Sequence, residues 1–174
     1  MSWSGWMIRA FGAVGVLLGA VWTCQEQVRR ERKCIRQLRG LSEALSAMER
    51  ELRERSSAME VLLREAQHTS GEELSHIFGR ITLNNLETED FSTQWDNMAS
   101  DTALHLNQAE RRLLERPGRV LGRCAVEEQC QCLASVGREL RERAGAREAA
   151  LRERRRLWYT LSVSAALLAV VTLL

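Results

Sequence analysis

His68, His76 and His105, with Cys24, Cys34, Cys124, Cys130 and Cys132, are the side chains of this sequence best suited to metal binding or nucleophilic chemistry. Their spacing assembles neither. No histidine has a partner Cys or Asp at catalytic or metal-ligand spacing. Cys130 and Cys132 stand two apart in a helical pattern, which turns them about 200° apart on a helix of 3.6 residues per turn and makes them poor co-ligands. Five cysteines form no disulfide framework and read as free thiols in a reducing compartment. The acidic pairs Glu72-Glu73, Glu89-Asp90 and Glu127-Glu128 suit solvated helix faces or first-turn charge. A nucleotide-binding loop needs Gly-x-x-x-x-Gly-Lys-Ser/Thr, and the single lysine, Lys33, sits in an arginine cluster instead. The sequence therefore assigns no catalytic residue, no metal ligand and no cofactor, and the chain is read as a non-enzyme.

Charge narrows the partners further. The 25 basic and 23 acidic residues are interleaved, and no stripe of aromatics accompanies the arginines, so nucleic acid is not expected as a partner. What the charges do show is where they stop. Residues 10–24 and 157–174 carry none.

These two ends predict membrane spans. Extended back to Trp3, the first has about 20 residues, enough at 1.5 Å per residue for a hydrocarbon layer of about 30 Å. Trp3, Trp6 and Trp22 bracket it as interfacial anchors. A cleaved signal peptide is the rival reading, but Val21-Trp22-Thr23-Cys24 lacks the small-x-small cleavage pattern. The second span begins at Leu157-Trp158-Tyr159, directly after Arg154-Arg155-Arg156, and runs to Leu174. The predicted domains are a transmembrane helix over 1–24, a helical bundle over 25–156 and a second transmembrane helix over 157–174.

Arginine placement orients them. Arg29, Arg30, Arg36 and Arg39 follow the first span, and Arg152, Arg154, Arg155 and Arg156 precede the second. The outer flanks offer only Arg9. The positive-inside rule then puts the middle domain in the cytoplasm and both termini outside. The same arginines are candidate contacts for anionic lipid headgroups or an acidic partner surface. Gly15 and Gly19 in the first span, and Ser162 and Ala166 in the second, are small residues four apart. They allow the spans to pack on each other or on another subunit, and homo-oligomerisation stays open.

The fold class is all-α. Leu, Ala, Glu and Arg dominate, Pro117 is the single proline, and no period-two strand pattern occurs. Leu38, Leu41, Leu45, Met48 and Leu52 step by three and four, as do Val126, Cys130, Leu133, Gly137, Leu140 and Ala144. Two long helices continuing from the spans should therefore pair antiparallel as a stem. Gly40 is expected to be exposed or slightly weakening. Shorter helices are expected from the capping boxes Ser57-x-x-Glu60, Ser70-x-x-Glu73 and Asn107-x-x-Glu110, and from Phe91, Trp95 and Met98, whose Trp should fill the core. Pro117 should kink or end its helix, and Gly122 should supply a left-handed cap before the last one.

This layout resembles the stage III sporulation protein AB family. The resemblance is carried by Arg36-Gln37-Leu38-Arg39 with Leu41, Leu45 and Met48-Glu49-x-Glu51, by Trp95, by Gly118-x-x-Leu121-Gly122 followed by Gln129, and by Leu157-Trp158-Tyr159-x-Leu161. Departures fall at Arg55-Ser56-Ser57-Ala58-Met59, at Pro117 and at Ser162. The resemblance implies a non-enzymatic scaffold in the mother-cell membrane around the forespore, part of a secretion-like channel needed for endospore formation. It further implies similarity to the cytoplasmic domain of the inner-membrane platform protein of type II secretion and type IV pilus systems. The implied partners are membrane lipids, the AA-type secretion ATPase of the same stage and membrane channel subunits. A two-span membrane sensor and a generic coiled-coil anchor are the alternative readings.

Overall fold

A computed structural model of the chain describes the backbone of residues 3–83 and 90–173, and side chains over 26–81, 90–154 and 156–157. Among the described residues it is entirely helical: α1 (Trp3–Arg55), α2 (Met59–Thr69), α3 (Glu72–Leu83), α4 (Phe91–Ala99), α5 (Gln108–Val120) and α6 (Val126–Leu173). Among them no helix holds a stretch long and apolar enough to cross a membrane. The segments 1–24 and 157–174 read as spans, with Gly15, Gly19, Ser162 and Ala166, lie outside the described side chains apart from Leu157.

The long helices α1 and α6 run antiparallel, and their apolar stripes explain why. Leu38, Leu41, Leu45 and Met48 on α1 face Cys130, Leu133, Leu140 and Ala144 on α6, all of them buried. The register is fixed midway, where the Ser42 hydroxyl donates to the Gly137 carbonyl at 2.7 Å. A methyl group at Gly137 would meet the Ser42 carbonyl oxygen at 3.5 Å, an ordinary contact, so the pairing there is close without depending on glycine. Of the expected stripe only Val126, at the start of α6, turns out to be 42% exposed.

The shorter helices fold back over this pair. α2 packs on α1, α3 on α2, α4 on α5, and α5 on α6. Their inner faces (Leu62, Leu63, Phe78, Trp95, Leu114) close one continuous apolar core. Gly40 is neither exposed nor idle. A methyl group there would stand 2.6 Å from the Ser70 carbonyl oxygen, so it is the point where the α2–α3 turn crosses α1.

Helix boundaries depart from the sequence motifs in three places. α2 begins after Ala58 without a side-chain cap, and Ser57 instead donates to Glu51 at 2.8 Å. Ser70 closes α2 rather than opening α3, donating to the Gln67 carbonyl, and Gly71 at φ +80° turns the chain. Pro117 sits inside α5, which runs on to Val120. The Asn107–Glu110 capping box is present in both directions, each bond 2.8 Å. Gly122, at φ +76°, makes the left-handed turn into α6.

Candidate functional site

The sequence offered the arginine clusters as contact residues, and the structure sorts them. Arg29 and Arg154 are exposed. Arg30 pairs along its own helix with Glu26 at 3.3 Å. Arg36 reaches across to Glu73 on α3 at 3.5 Å, both side chains well exposed. Arg39 on α1 and Arg152 on α6 meet at one carboxylate, Glu148. The hydrogen bond from Arg152, supported by Arg39, holds the Glu148 carboxyl below the usual carboxylate range. Arg156 is exposed, and the side chain of Arg155 lies outside the described residues. The predicted arginines therefore do not form one patch: part of their charge is spent tying α1 to α3 and to α6.

A tighter cluster, missed by the sequence reading, lies just inside this end of the bundle. Glu110 on α5 is 1% exposed. One carboxylate oxygen accepts from the Asn107 backbone N–H, the other from the Arg147 guanidinium at 2.7 Å. Arg147, on α6, also stands 3.7 Å from Glu31 on α1 and donates to the Cys34 sulfur at 2.9 Å. One guanidinium thus joins α1, α5 and α6. Burial pushes the Cys34 thiol up; Arg147 opposes this, and the carboxylates of Glu110 and Glu31 reinforce it. The site opens into a cleft of about 750 Å³ lined by Glu26, Gln27, Arg30, Glu31, Cys34, His105 and Arg147. The only sequence signal was the capping box, which identified Glu110 as a cap and said nothing of its partner 37 residues on.

The geometry does not assemble a nucleophile. Burial raises the pKa of the Cys34 thiol, and among the described residues no base is bonded to it. His105 points its Nδ1 at its own loop, 3.0 Å from the Ala103 carbonyl. Among the described residues no group of three His, Cys, Asp or Glu gathers as a metal site, and Cys34, Cys124, Cys130 and Cys132 are free thiols.

Several residues that carry the resemblance serve instead as fasteners of the connections between helices. Gln37 is 3% exposed and reads the loop backbone twice, donating to the Ala103 carbonyl at 3.0 Å and accepting from the His105 N–H at 2.9 Å. The Trp95 indole N–H donates to the Leu114 carbonyl at 2.6 Å while its ring lies on Gly118, where a methyl group would meet it at 2.5 Å. Gln129 holds the last turn, accepting from the Gly122 N–H at 3.2 Å and donating to the Cys124 carbonyl at 2.6 Å. Each loop that reverses the chain around α5 is thereby pinned by one buried polar side chain, which satisfies backbone groups that would otherwise be orphaned.

Comparison with known proteins agrees with that pattern. No curated protein and no solved structure matches the chain. The sequence model of the family described as stage III sporulation protein AB matches residues 9–174. That match covers nearly the whole length and includes Gln37, Trp95, Gly118, Gly122 and Gln129, so the chain belongs to the stage III sporulation protein AB family.

Proposed function

We propose that this sporulation protein is a non-enzymatic membrane platform. In this reading apolar helices over 1–24 and 157–174 anchor it in the mother-cell membrane around the forespore. The bundle faces the cytoplasm, and it docks a secretion-type ATPase to a channel joining the two cells. The observation that carries the reading is the antiparallel pairing of α1 and α6. Both helices leave the bundle at the same end, past Glu26–Arg32 on one and Arg152–Arg156 on the other, directly before the uncharged segments. Arginines at that exit favour the cytoplasmic, anionic face of a bilayer. The buried polar clamps suit a rigid support.

The test is deletion of the gene in the source organism, complemented by wild type and by a variant with two aspartates introduced into 160–172. The expected result is loss of spore formation in the null, rescue by wild type and no rescue by the variant, whose tagged product should leave the membrane fraction. Normal sporulation in a clean null would end the proposal. An impermeant thiol reagent labelling a cysteine placed at Ser135 on intact cells would reverse the orientation.

A further inference from the structure

The cleft beside the Arg147 junction holds hydrogen-bonding groups that the fold does not use. Its volume of about 750 Å³ falls within the range of small-molecule sites, about 300–1,000 Å³. Its floor is fixed, because Arg147 is held by Glu110 at 2.7 Å and lies 2.9 Å from the Cys34 sulfur. On its wall Arg30 engages Glu26 through Nε alone, and its two terminal nitrogens have no partner among the described residues. Glu31 stands 3.7 Å from Arg147, beyond hydrogen-bond distance, so its oxygens remain acceptors. His105 Nδ1 lies 3.0 Å from the Ala103 carbonyl. A carbonyl only accepts, so Nδ1 carries the proton and Nε2 of the neutral ring is an acceptor.

The charges of the cleft balance. Arg30 and Arg147 are set against Glu26 and Glu31, with Glu110 buried behind Arg147. A simple anion finds no net attraction there, and nor does a simple cation. The other basic residues of this stretch stand elsewhere. At 100° per residue Arg29 and Arg32 lie on the opposite side of α1, and Lys33 lines a separate recess with Glu73 and His76. The complement of free guanidinium donors beside free carboxylate and imidazole acceptors is a zwitterion. Its anion must accept from Arg30, and its cation must carry N–H groups to give to Glu26, Glu31 or His105.

Depth selects the source of that zwitterion. α1 is unbroken here, and the uncharged segment before it ends at Cys24. At 1.5 Å per residue, Glu26 stands about 3 Å and Glu31 about 10 Å beyond that point. The polar headgroup layer on one side of a bilayer is about 5–8 Å deep. With the uncharged segment in the hydrocarbon, the wall of the cleft therefore lies at headgroup level.

We propose that this cleft binds the phosphoethanolamine headgroup of a membrane lipid, with the phosphate on Arg30 and the primary ammonium on Glu26, Glu31 and the Nε2 of His105. The inference rests on the platform reading, for which it supplies a lipid that seats the bundle at a set height on the bilayer.

The full-length chain, purified in mild detergent and exchanged against equal amounts of phosphatidylethanolamine, phosphatidylcholine and phosphatidylglycerol, is read by native mass spectrometry for retained lipid. Phosphatidylethanolamine should be retained about tenfold over phosphatidylcholine, whose quaternary ammonium has no N–H to give, and over phosphatidylglycerol, which has no cation. R30Q alters an exposed side chain bonded only within α1, so folding is not at stake; it should cut retention about fivefold. E26Q/E31Q should bring the ethanolamine and choline lipids within about twofold of each other. E153Q, which changes an exposed carboxylate of α6 outside the cleft, should behave as wild type. Equal retention of the three lipids, a preference that survives both R30Q and E26Q/E31Q, or an equal loss in E153Q overturns the inference. Ethanolamine phosphate seen by ligand-observed NMR to bind a chain that retains no phosphatidylethanolamine overturns the lipid source. A chain that stays in water without detergent overturns the platform reading and this inference together; a membrane-bound chain with no lipid preference overturns this inference alone.

Discussion

Trp95 and Gly118 lie face to face, with the indole ring so close that even a methyl group on Gly118 would collide with it at 2.5 Å. The same indole donates its N–H to Leu114, one turn earlier on α5. α4 is thus seated on α5 by one contact that requires a glycine and one that requires an indole.

Gly118→Ala should therefore destabilise the protein, although helix propensity alone predicts a gain of about 1 kcal/mol. Ring and backbone must move apart, an overpacking cost of about 1–3 kcal/mol. Urea unfolding of the detergent-solubilised chain measures it, and a more stable variant would refute the contact. Trp95→Phe keeps most of the apolar volume but leaves the Leu114 carbonyl one bond short, a loss of about 1–3 kcal/mol including the smaller ring.

Among the described residues Arg147 is the sole ion-pair partner of a carboxylate that is 1% exposed. Arg147→Ala should cost about 3–5 kcal/mol, because it leaves Glu110 buried and charged. Adding Glu110→Gln, which keeps the acceptor for Asn107 and removes the charge, should recover part of that loss. A double-mutant cycle from denaturant unfolding reads the coupling, and additive single losses would show that the pair does not interact.

Cys34 should be slow to alkylate. Its thiol is 3% exposed and its pKa lies above the ordinary thiol value, so at pH 8 little thiolate forms. The raised value means that the stability it lends is full below the ordinary thiol pKa and is lost as pH rises through the raised one. Iodoacetamide with mass mapping should modify Cys34 only after denaturant is added; rapid labelling of the native protein would contradict the burial.

Glu148 titrates in the other direction. Its carboxyl is held down by Arg152 and then Arg39, so the stabilisation exists above the ordinary carboxylate pKa and disappears as pH falls through the depressed one. Carbon-detected NMR of the side chain should show a midpoint below that of a free glutamate. Arg152→Gln should move it back up, while an unchanged midpoint would rule out the bridge.

Much of the fold was legible because periodicity is a local signal. The steps from Leu38 to Leu52 and from Cys130 to Ala144 mark two faces that can be buried only against each other or a third helix. Asn107 was legible for the same reason: its partner Glu110 is three residues away. Ser57 and Ser70 match the capping pattern equally well, yet they were diverted by neighbours that the pattern does not see, Glu51 in one case and the turn at Gly71 in the other. Gly40 looked like a weakness because the Ser70 carbonyl that needs its space lies 30 residues further on. The Glu31–Arg147–Glu110 junction left no local trace beyond the cap at Glu110, since its charges are drawn from three helices and look on paper like ordinary solvated ones.

The bond between Ser42 and Gly137 also restricts how the molecule can move. Its register is set within the paired stretch of two unbroken helices, and sliding one past the other by a helical turn, about 5.4 Å, would strand the hydroxyl and force every interleaved leucine out of its socket at once. Telescoping is therefore the costly motion, and tilting the cheap one. A load applied at one end should swing the pair as a single strut, so that its far end travels in proportion to the strut's length.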